Sequence, residues 1–256
     1  MRRPSESPAD AMAALFLEPA TAMALDSSTQ SKIAFYILLV ISLSFHEYGH
    51  AWSASKLGDD TAESMGRLTL NPIVHMDPIF TVALPLAMLF GPLAGFPIGL
   101  LAAKPVPVNP RNLRRPLRDM MLTSAAGPAM NVVLAGFFTA AYWFHTRYRG
   151  IPEDHLSSRT LVTAILLNWQ LAIFNMLPIP PLDGHRVLGY FLPSTAREAY
   201  YRIGPFGGIA LLIALSYFGV LQAILLPILD PVLEWWGNLF MPDGYHVGGY
   251  PSLSLR

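Results

Sequence analysis

The chain has 256 residues, of which 53% are hydrophobic and only 13% are charged, with a formal net charge of zero. Soluble domains carry about 25% charged residues, so this composition indicates an integral membrane protein. The balanced charge argues against a nucleic-acid partner. Because the chain has no cysteine, disulfides and thiolate ligands are excluded, and His, Asp and Glu are left to hold a metal ion.

The hydropathy pattern divides the chain into a transmembrane domain, residues 31–236, between two flanking segments. Residues 1–30 are predicted to be a tail or an interfacial helix. A cleaved signal peptide is less favoured there because Glu18 and Pro19 interrupt the apolar run. Residues 237–256 are predicted to be a polar tail.

Several apolar runs are long enough to cross a bilayer core of about 30 Å. The clearest are residues 31–57, 120–145 and 160–176. A helix is predicted over 183–191, and residues 203–236 could form one long span or two short ones around Pro227. The expected fold is an all-α bundle of about five to six transmembrane segments, with a short β-hairpin or a re-entrant element after the first helix.

The region after the first span is harder to interpret. Alternation of polar and apolar residues from Arg67 to Leu70 predicts a short strand or hairpin. Residues 79–103 are apolar but contain several prolines and glycines, so they could be a kinked span or a re-entrant hairpin. The basic loop 104–118 should be cytoplasmic. The amino terminus is then cytoplasmic if 79–103 spans, and external if 79–103 is re-entrant.

The first span contains a motif of two histidines four residues apart. Such a spacing puts His46 and His50 on one face of a helix, where both can bind one metal ion. Glu47 then lies beside the metal, where a general base for an attacking water is needed. Polar, titratable residues are costly in an apolar span, so they indicate a functional site.

A third ligand must come from elsewhere in the chain, because a catalytic zinc usually has three protein ligands. Asp183 follows a run with three prolines that ends the third span and lets the chain turn inward. Its alternative role is to cap the next helix. His75 and Asp77 are rival ligands, although their segment looks interfacial and Asp77-Pro78 also fits a simple turn.

Two further polar residues flank the proline-rich run. Asn175 could donate a hydrogen bond to the oxyanion that forms when a peptide carbonyl is attacked, or it could repair the helix backbone beside the break. The chemistry of the amide does not separate these two roles. His185 is expected beside the metal site and not among its ligands, because three ligands leave one position open for water.

Together these residues resemble the site-2 protease family of intramembrane zinc metalloproteases. Residues 46–50 match its HExxH helix, residues 127–131 match its GPxxN segment, and residues 175–184 match its NxxPxPxxDG segment. Three such motifs in order are far more specific than HExxH alone.

The resemblance implies one zinc ion bound by His46, His50 and Asp183. Glu47 would be the general base and then the general acid, and Asn175 would hold the substrate strand or the oxyanion. The substrate would be a transmembrane helix of another protein in the lipid bilayer, and a prokaryotic plasma membrane is the expected location.

The chain departs from many family members because it has no room for a PDZ domain or CBS domains. Substrate selection is therefore expected to depend on the membrane core or on a separate regulatory or adaptor protein. An edge strand near residues 66–70 is hypothesised to receive the unwound substrate by strand addition.

Two rival functions are considered. A metalloprotease of another lineage would use a Glu as third ligand, but Glu153, Glu198 and Glu234 lie in predicted loops or near the ends of spans. A metal transporter or sensor would bind the ion without chemistry, and Glu47 would then be dispensable.

Overall fold

The computed structural model describes residues 27–91, 103–153 and 155–240, and helices dominate these three stretches. The helices, in chain order, are α1 Ser27–Leu57, α2 Thr61–Ser64, α3 Pro72–His75, α4 Leu84–Phe90, α5 Pro116–Trp143, α6 Leu156–Asn175, α7 Gly184–Phe191, α8 Ser194–Tyr201, α9 Gly204–Tyr217 and α10 Val220–Phe240. Two π-helical segments, Pro78–Ala83 and Phe144–Tyr148, precede α4 and follow α5.

Within the described residues, two helices are long and apolar enough to cross a membrane, Thr29–Leu57 and Pro116–Tyr148. A third span is obtained if α8 and α9, which are bent by 71°, are counted together. The protein is thus an α-helical membrane protein, but the predicted five to six spans are not confirmed. The run predicted as a third clean span forms α6, where Asn168, Gln170 and Asn175 dilute the apolar character.

The predicted strand over Arg67–Leu70 is not found, and no strand occurs in the part of the chain that the structure describes. Local hydrogen bonds occupy the backbone groups that a ladder would need: Arg67 N–H donates to Ala62 O, and Thr69 O lies 2.8 Å from the His75 ring. The edge hypothesised to receive substrate at 66–70 is therefore absent. The predictions for residues 1–26, 92–102 and 241–256 lie outside the described residues.

The apolar region after residue 203 is interrupted at Phe218 and Gly219, and not at Pro227 as the sequence indicated. Gly219 has a φ of 72°, a left-handed conformation that glycine adopts without steric cost, and this ends α9. Pro227 and Pro231 both lie inside α10. This helix continues to Phe240.

Helices α1, α5 and α6 pack against one another and form the centre of the molecule. Their apolar contacts gather around Leu39, Ala164 and Leu167, all of which are buried. Gly49 lets α1 and α5 approach closely, since a Cβ at this position would lie 2.6 Å from the Ala126 carbonyl oxygen. The buried side chains of Ser42, Asn131 and Asn168 hydrogen-bond across this interface, and they lead to the site described below.

Residues 103–109 form an extended segment, in which three residues precede prolines, and it runs along α1 from Ala103, buried in the same apolar cluster as Leu39, to Asn109 beside Asp59. The Lys104 N–H donates to His75 O at 2.8 Å, and the buried Arg67 guanidinium donates to Lys104 O at 2.7 Å. At its far end, the Asn109 N–H donates to Asp59 Oδ2 at 2.7 Å. These anchors hold the segment across the C-terminal half of α1.

Candidate metal centre

Helix α1 supplies two histidines whose rings meet on one face. His46 Nε2 and His50 Nε2 lie 3.0 Å apart, and the two rings are nearly perpendicular. The side chain of His46 is 6% exposed and that of His50 is 12% exposed, so both are largely shielded from solvent. The i, i+4 spacing therefore produces the paired donors that the sequence indicated.

The loop after α6 brings Asp183 to the same point. Its Oδ2 atom lies 3.1 Å from His46 Nε2 and 3.4 Å from His50 Nε2. The loop is held in place by Leu177 and Leu182, which are buried against Phe174 at the end of α6. Gly184 follows directly and packs against the Met176 carbonyl so closely that no Cβ fits there. The proline-broken run thus turns inward and delivers the carboxylate, as expected from the sequence.

These three side chains have the donor chemistry and the spacing of a zinc site. Ligands bound tetrahedrally at 2.0–2.1 Å lie about 3.3 Å apart, and the three facing atoms here are 3.0 to 3.4 Å apart. They form the group of His and acidic residues that could hold a metal ion in the described part of the chain.

The outer nitrogens of both rings also fit metal binding. His50 Nδ1 lies 2.7 Å from the Thr123 carbonyl oxygen, and His46 Nδ1 lies 2.7 Å from Asn131 Oδ1. Both partners accept, so both Nδ1 atoms carry the hydrogen, and the lone pairs of the two Nε2 atoms face the centre. A cation between these lone pairs and the carboxylate satisfies all three groups at once.

Gly127 on α5 packs directly against the imidazole rings of His46 and His50. A Cβ at this position would collide with His50 Nε2 and with Cε1 of both histidines. Gly127 of the GPxxN segment therefore has a direct role here, because any larger residue would occupy the space of the imidazoles.

Glu47 is 8% exposed and lies beside the cluster without joining it. Its Oε2 atom accepts a hydrogen bond of 2.8 Å from the Val106 N–H, which belongs to the extended segment 103–109. One carboxylate oxygen is thereby fixed, and the carboxyl group is oriented by backbone from another part of the chain.

The rival ligands have other partners. His75 is buried and its Nε2 atom lies 2.8 Å from Thr69 O, while Asp77 accepts hydrogen bonds from the Ile79 and Phe80 N–H groups at the start of a helix. His185 Nδ1 lies 2.6 Å from Leu182 O. None of the three belongs to the cluster of His46, His50 and Asp183.

Asn175 lies in the last turn of α6, where its amide donates to Leu171 O at 3.0 Å. This contact is the one expected if Asn175 pairs with the helix backbone beside the proline break. The second N–H of the amide remains available for another partner. The carboxylates that a different metalloprotease lineage would need, Glu153, Glu198 and Glu234, are exposed and lie outside the cluster.

The chain is similar to known peptidases. The model of peptidase family M50 matches residues 152–215. The protein named "Putative zinc metalloprotease YwhC" from Bacillus subtilis is 34% identical over 213 residues, which cover 80% of this chain and 92% of that protein. The chain belongs to peptidase family M50. As a member of this family it is a zinc metalloprotease, and the His46–His50–Asp183 cluster fits the zinc ion.

Two mycobacterial relatives of this M50 protein carry the name "Putative zinc metalloprotease Rip2". The protein from Mycolicibacterium smegmatis is 31% identical over 175 residues, covering 65% of this chain and 62% of that protein. The protein from Mycobacterium tuberculosis strain Erdman is 32% identical over 197 residues, covering 77% of this chain and 67% of that protein. No solved structure gives a significant match to the chain.

Sequence reasoning assigned no role at this site to Thr123, Val106 or Asn168. Val106 acts through its backbone, which leaves no signature in residue type. Asn168 is a fully buried amide within α6 that contacts Asn131. The sequence did contain a signal for Asn168, because a polar side chain within an apolar helix is costly unless it has a hydrogen-bond partner.

Proposed function

We propose that this M50 protein is an intramembrane protease, which hydrolyses peptide bonds within transmembrane helices of other membrane proteins. The observation that carries the proposal is the position of the metal ligands. His46 and His50 lie inside a helix that can itself cross a membrane, Thr29–Leu57, and not in a loop beyond it.

The length of this helix supports a site below the membrane surface. At about 1.5 Å per residue its 29 residues extend for about 43 Å, which exceeds a hydrocarbon core of about 30 Å by about 13 Å. His46 lies eleven residues before Leu57, or about 16 Å from that end. If the excess is shared equally between the two ends, His46 and His50 both lie within the core; if it all protrudes on the Leu57 side, His46 stays within the core and His50 lies about 3 Å outside it.

Zinc, Glu47 and Asn175 are assigned distinct roles in hydrolysis. Bound zinc would supply a Lewis acid that polarises the scissile carbonyl and lowers the pKa of a water molecule. Glu47 accepts the proton of the attacking water and then delivers it to the nitrogen of the leaving amine. The second N–H of the Asn175 amide is available to bind the substrate strand or its developing oxyanion.

The substrate follows from this location. A helical peptide bond has its carbonyl already paired, so a transmembrane substrate must unwind before it reaches Glu47 and the metal. The partners proposed are a transmembrane substrate protein, the lipid bilayer, and a separate regulatory or adaptor protein. A multi-pass arrangement in a prokaryotic plasma membrane is proposed for the chain, and its bacterial relatives support that location.

The test is cleavage of a tagged single-span substrate in liposomes by the wild-type chain and by Glu47→Gln, with zinc measured in both. We expect Glu47→Gln to retain zinc and to lose activity by a factor of about 10² to 10⁴, the usual contribution of a general acid–base group. Equal cleavage by both forms would remove Glu47 from the mechanism. Bound zinc without cleavage in either form, across several single-span substrates, would favour metal transport or sensing.

A further inference from the structure

A buried chain of hydrogen bonds connects the metal site to a residue that lies beyond it. Asn168 is on α6, and its amide oxygen accepts from Asn131 Nδ2 at 3.0 Å. Asn131 in turn contacts His46 Nδ1 at 2.7 Å. Both asparagines are fully buried between α1, α5 and α6. We propose that Asn168 is a positioning residue for zinc, which locks the Asn131 amide in the one orientation that makes His46 a ligand.

The direction of the chain is set by backbone carbonyls, which can only accept hydrogen bonds. Asn168 Nδ2 lies 2.8 Å from Ala164 O and 3.0 Å from Ser42 Oγ, so this atom must be the donating nitrogen. The Asn168 oxygen therefore faces Asn131, and Asn131 must present its own nitrogen to it. The Ser42 carbonyl, 3.4 Å from Asn131 Nδ2, favours the same orientation.

This orientation decides which ring nitrogen of His46 carries the hydrogen. With the Asn131 nitrogen turned towards Asn168, the Asn131 oxygen faces His46 and accepts from Nδ1–H. The Nε2 atom then has a free lone pair directed at His50 and Asp183. A flipped Asn131 would present N–H groups to Nδ1, the hydrogen would move to Nε2, and His46 would be lost as a ligand.

Asn168 prevents that flip. In a flipped Asn131, the oxygen would stand against the Asn168 oxygen and the Ser42 carbonyl, and acceptors that face each other in a buried site are costly. The tautomer of His50 does not depend on a side-chain amide, because the Thr123 carbonyl contacts its Nδ1 directly and can only accept a hydrogen bond. The two histidines thus differ in how their tautomers are fixed, and only the His46 tautomer depends on a side chain that can rotate.

The test is the zinc affinity of the full-length protein in detergent, measured by competition with a chelator. Asn168→Leu keeps a side chain of similar size but removes the acceptor that faces Asn131. If this variant does not fold, Asn168→Ala, which removes the same acceptor, is used instead. We expect a loss of about tenfold or more, since outer partners of metal ligands contribute 10- to 100-fold to affinity.

Asn168→Asp is the matched comparison. A buried, protonated Asp keeps an oxygen that accepts from Asn131 and an O–H that donates to Ala164 O. The zinc affinity of this variant should therefore stay within about threefold of the wild type. That change is well below the loss expected when an outer partner of a metal ligand is removed. Thr139→Val is the control for structural damage. It removes a buried hydrogen bond of 2.8 Å from Trp236 to Thr139, between α10 and α5, that has no link to the metal.

The proposal is supported if Asn168→Leu or Asn168→Ala loses zinc affinity while Asn168→Asp and Thr139→Val keep it. It is overturned if the acceptor-free variants bind zinc like the wild type. It is also overturned if Thr139→Val loses as much affinity at an equal loss of thermal stability, because the effect would then report general destabilisation. Zinc binding is measured without substrate, so the result does not depend on where the peptidase cleaves.

Discussion

The backbone N–H of Val106 donates a hydrogen bond of 2.8 Å to Oε2 of Glu47, although 59 positions separate the two residues in the chain. The N–H is presented by an extended segment in which Val106 lies between Pro105 and Pro107. The two prolines have no N–H, and Pro107 also restricts Val106 to extended conformations. Val106 therefore supplies a fixed donor to the carboxylate expected to act as base.

Replacing Val106 by proline tests this contact at the level of one atom. Val106→Pro removes the N–H from an already extended segment, and Val106→Ala keeps the N–H while it shortens the side chain. A hydrogen bond to a charged group contributes about 1.5–3 kcal/mol, so kcat should fall by about tenfold or more in Val106→Pro with zinc retained. Similar kcat values for the two variants would show that the N–H does not orient Glu47.

A second prediction concerns the glycine beneath the histidine rings. Gly127→Ala places a methyl group where the rings of His46 and His50 lie, so the rings must move apart. We expect loss of zinc from the purified protein, together with a destabilisation of about 1–3 kcal/mol from overpacking. Both are measured by metal analysis and by thermal unfolding in detergent.

The control lies on the same helix. A Cβ at Gly136 meets only ring atoms of Trp236, at 3.8–3.9 Å, which is ordinary van der Waals contact. Gly136→Ala should therefore keep zinc and could gain up to about 1 kcal/mol from helix propensity. If Gly127→Ala retained full zinc occupancy, the close approach of α5 to the histidines would not be required for the site.

The third prediction separates the two residues at the start of α7. Asp183→Ala removes a predicted ligand, and zinc affinity should fall by more than the 10- to 100-fold typical of outer partners. His185→Ala removes a ring whose Nδ1 contacts Leu182 O and which does not belong to the cluster. This variant should keep zinc. Loss of zinc in His185→Ala alone would indicate that the ligand set predicted from the sequence is wrong.

The parts of the site that the sequence predicted are those in which local spacing determines geometry. His46 and His50 meet because a helix brings i and i+4 together, whatever surrounds it. Asp183 turns inward because prolines end α6 and leave the loop no helical alternative. Spacing alone fixes the histidine pair, whereas the position of Asp183 also depends on Leu177 and Leu182, which are buried against Phe174.

The parts that the sequence did not predict depend on contacts between distant segments. Val106 and Asn168 act through partners 59 and 37 positions away, and neither distance leaves a periodic pattern. The hairpin predicted near Arg67 was wrong for a different reason, since local hydrogen bonds to Ala62 and His75 occupy backbone groups that a strand ladder would need. The interruption at Gly219 was missed because a proline at residue 227 looked like the stronger breaker, although α10 includes it.

The last prediction concerns the anchor that holds the extended segment to the end of α1. Asp59 is fully buried and accepts hydrogen bonds from Thr61, from the Asn109 N–H and from the Asn112 amide. Burial alone would raise the pKa of this carboxyl group, but the hydrogen bonds outweigh burial and lower the pKa below its ordinary value. The ionised form is therefore the one that the fold favours.

The sign of the pH dependence follows from this shift. The pKa of Asp59 is lower in the folded protein than in the unfolded chain. Its contribution to the free energy of unfolding is therefore complete above pH of about 4 and is lost as the pH falls through the pKa of the folded state. Asp59→Asn should lower Tm at pH 7 by about 2–12 °C, corresponding to about 1–3 kcal/mol. The difference from the wild type should shrink below pH of about 4.

The neighbouring Asp60 is exposed and makes no side-chain cap, so Asp60→Asn should leave Tm unchanged at both pH values. If Asp59→Asn and Asp60→Asn gave the same Tm at pH 7, the segment 103–109 would be held by its other contacts, and Val106 would not depend on Asp59 for its position beside Glu47.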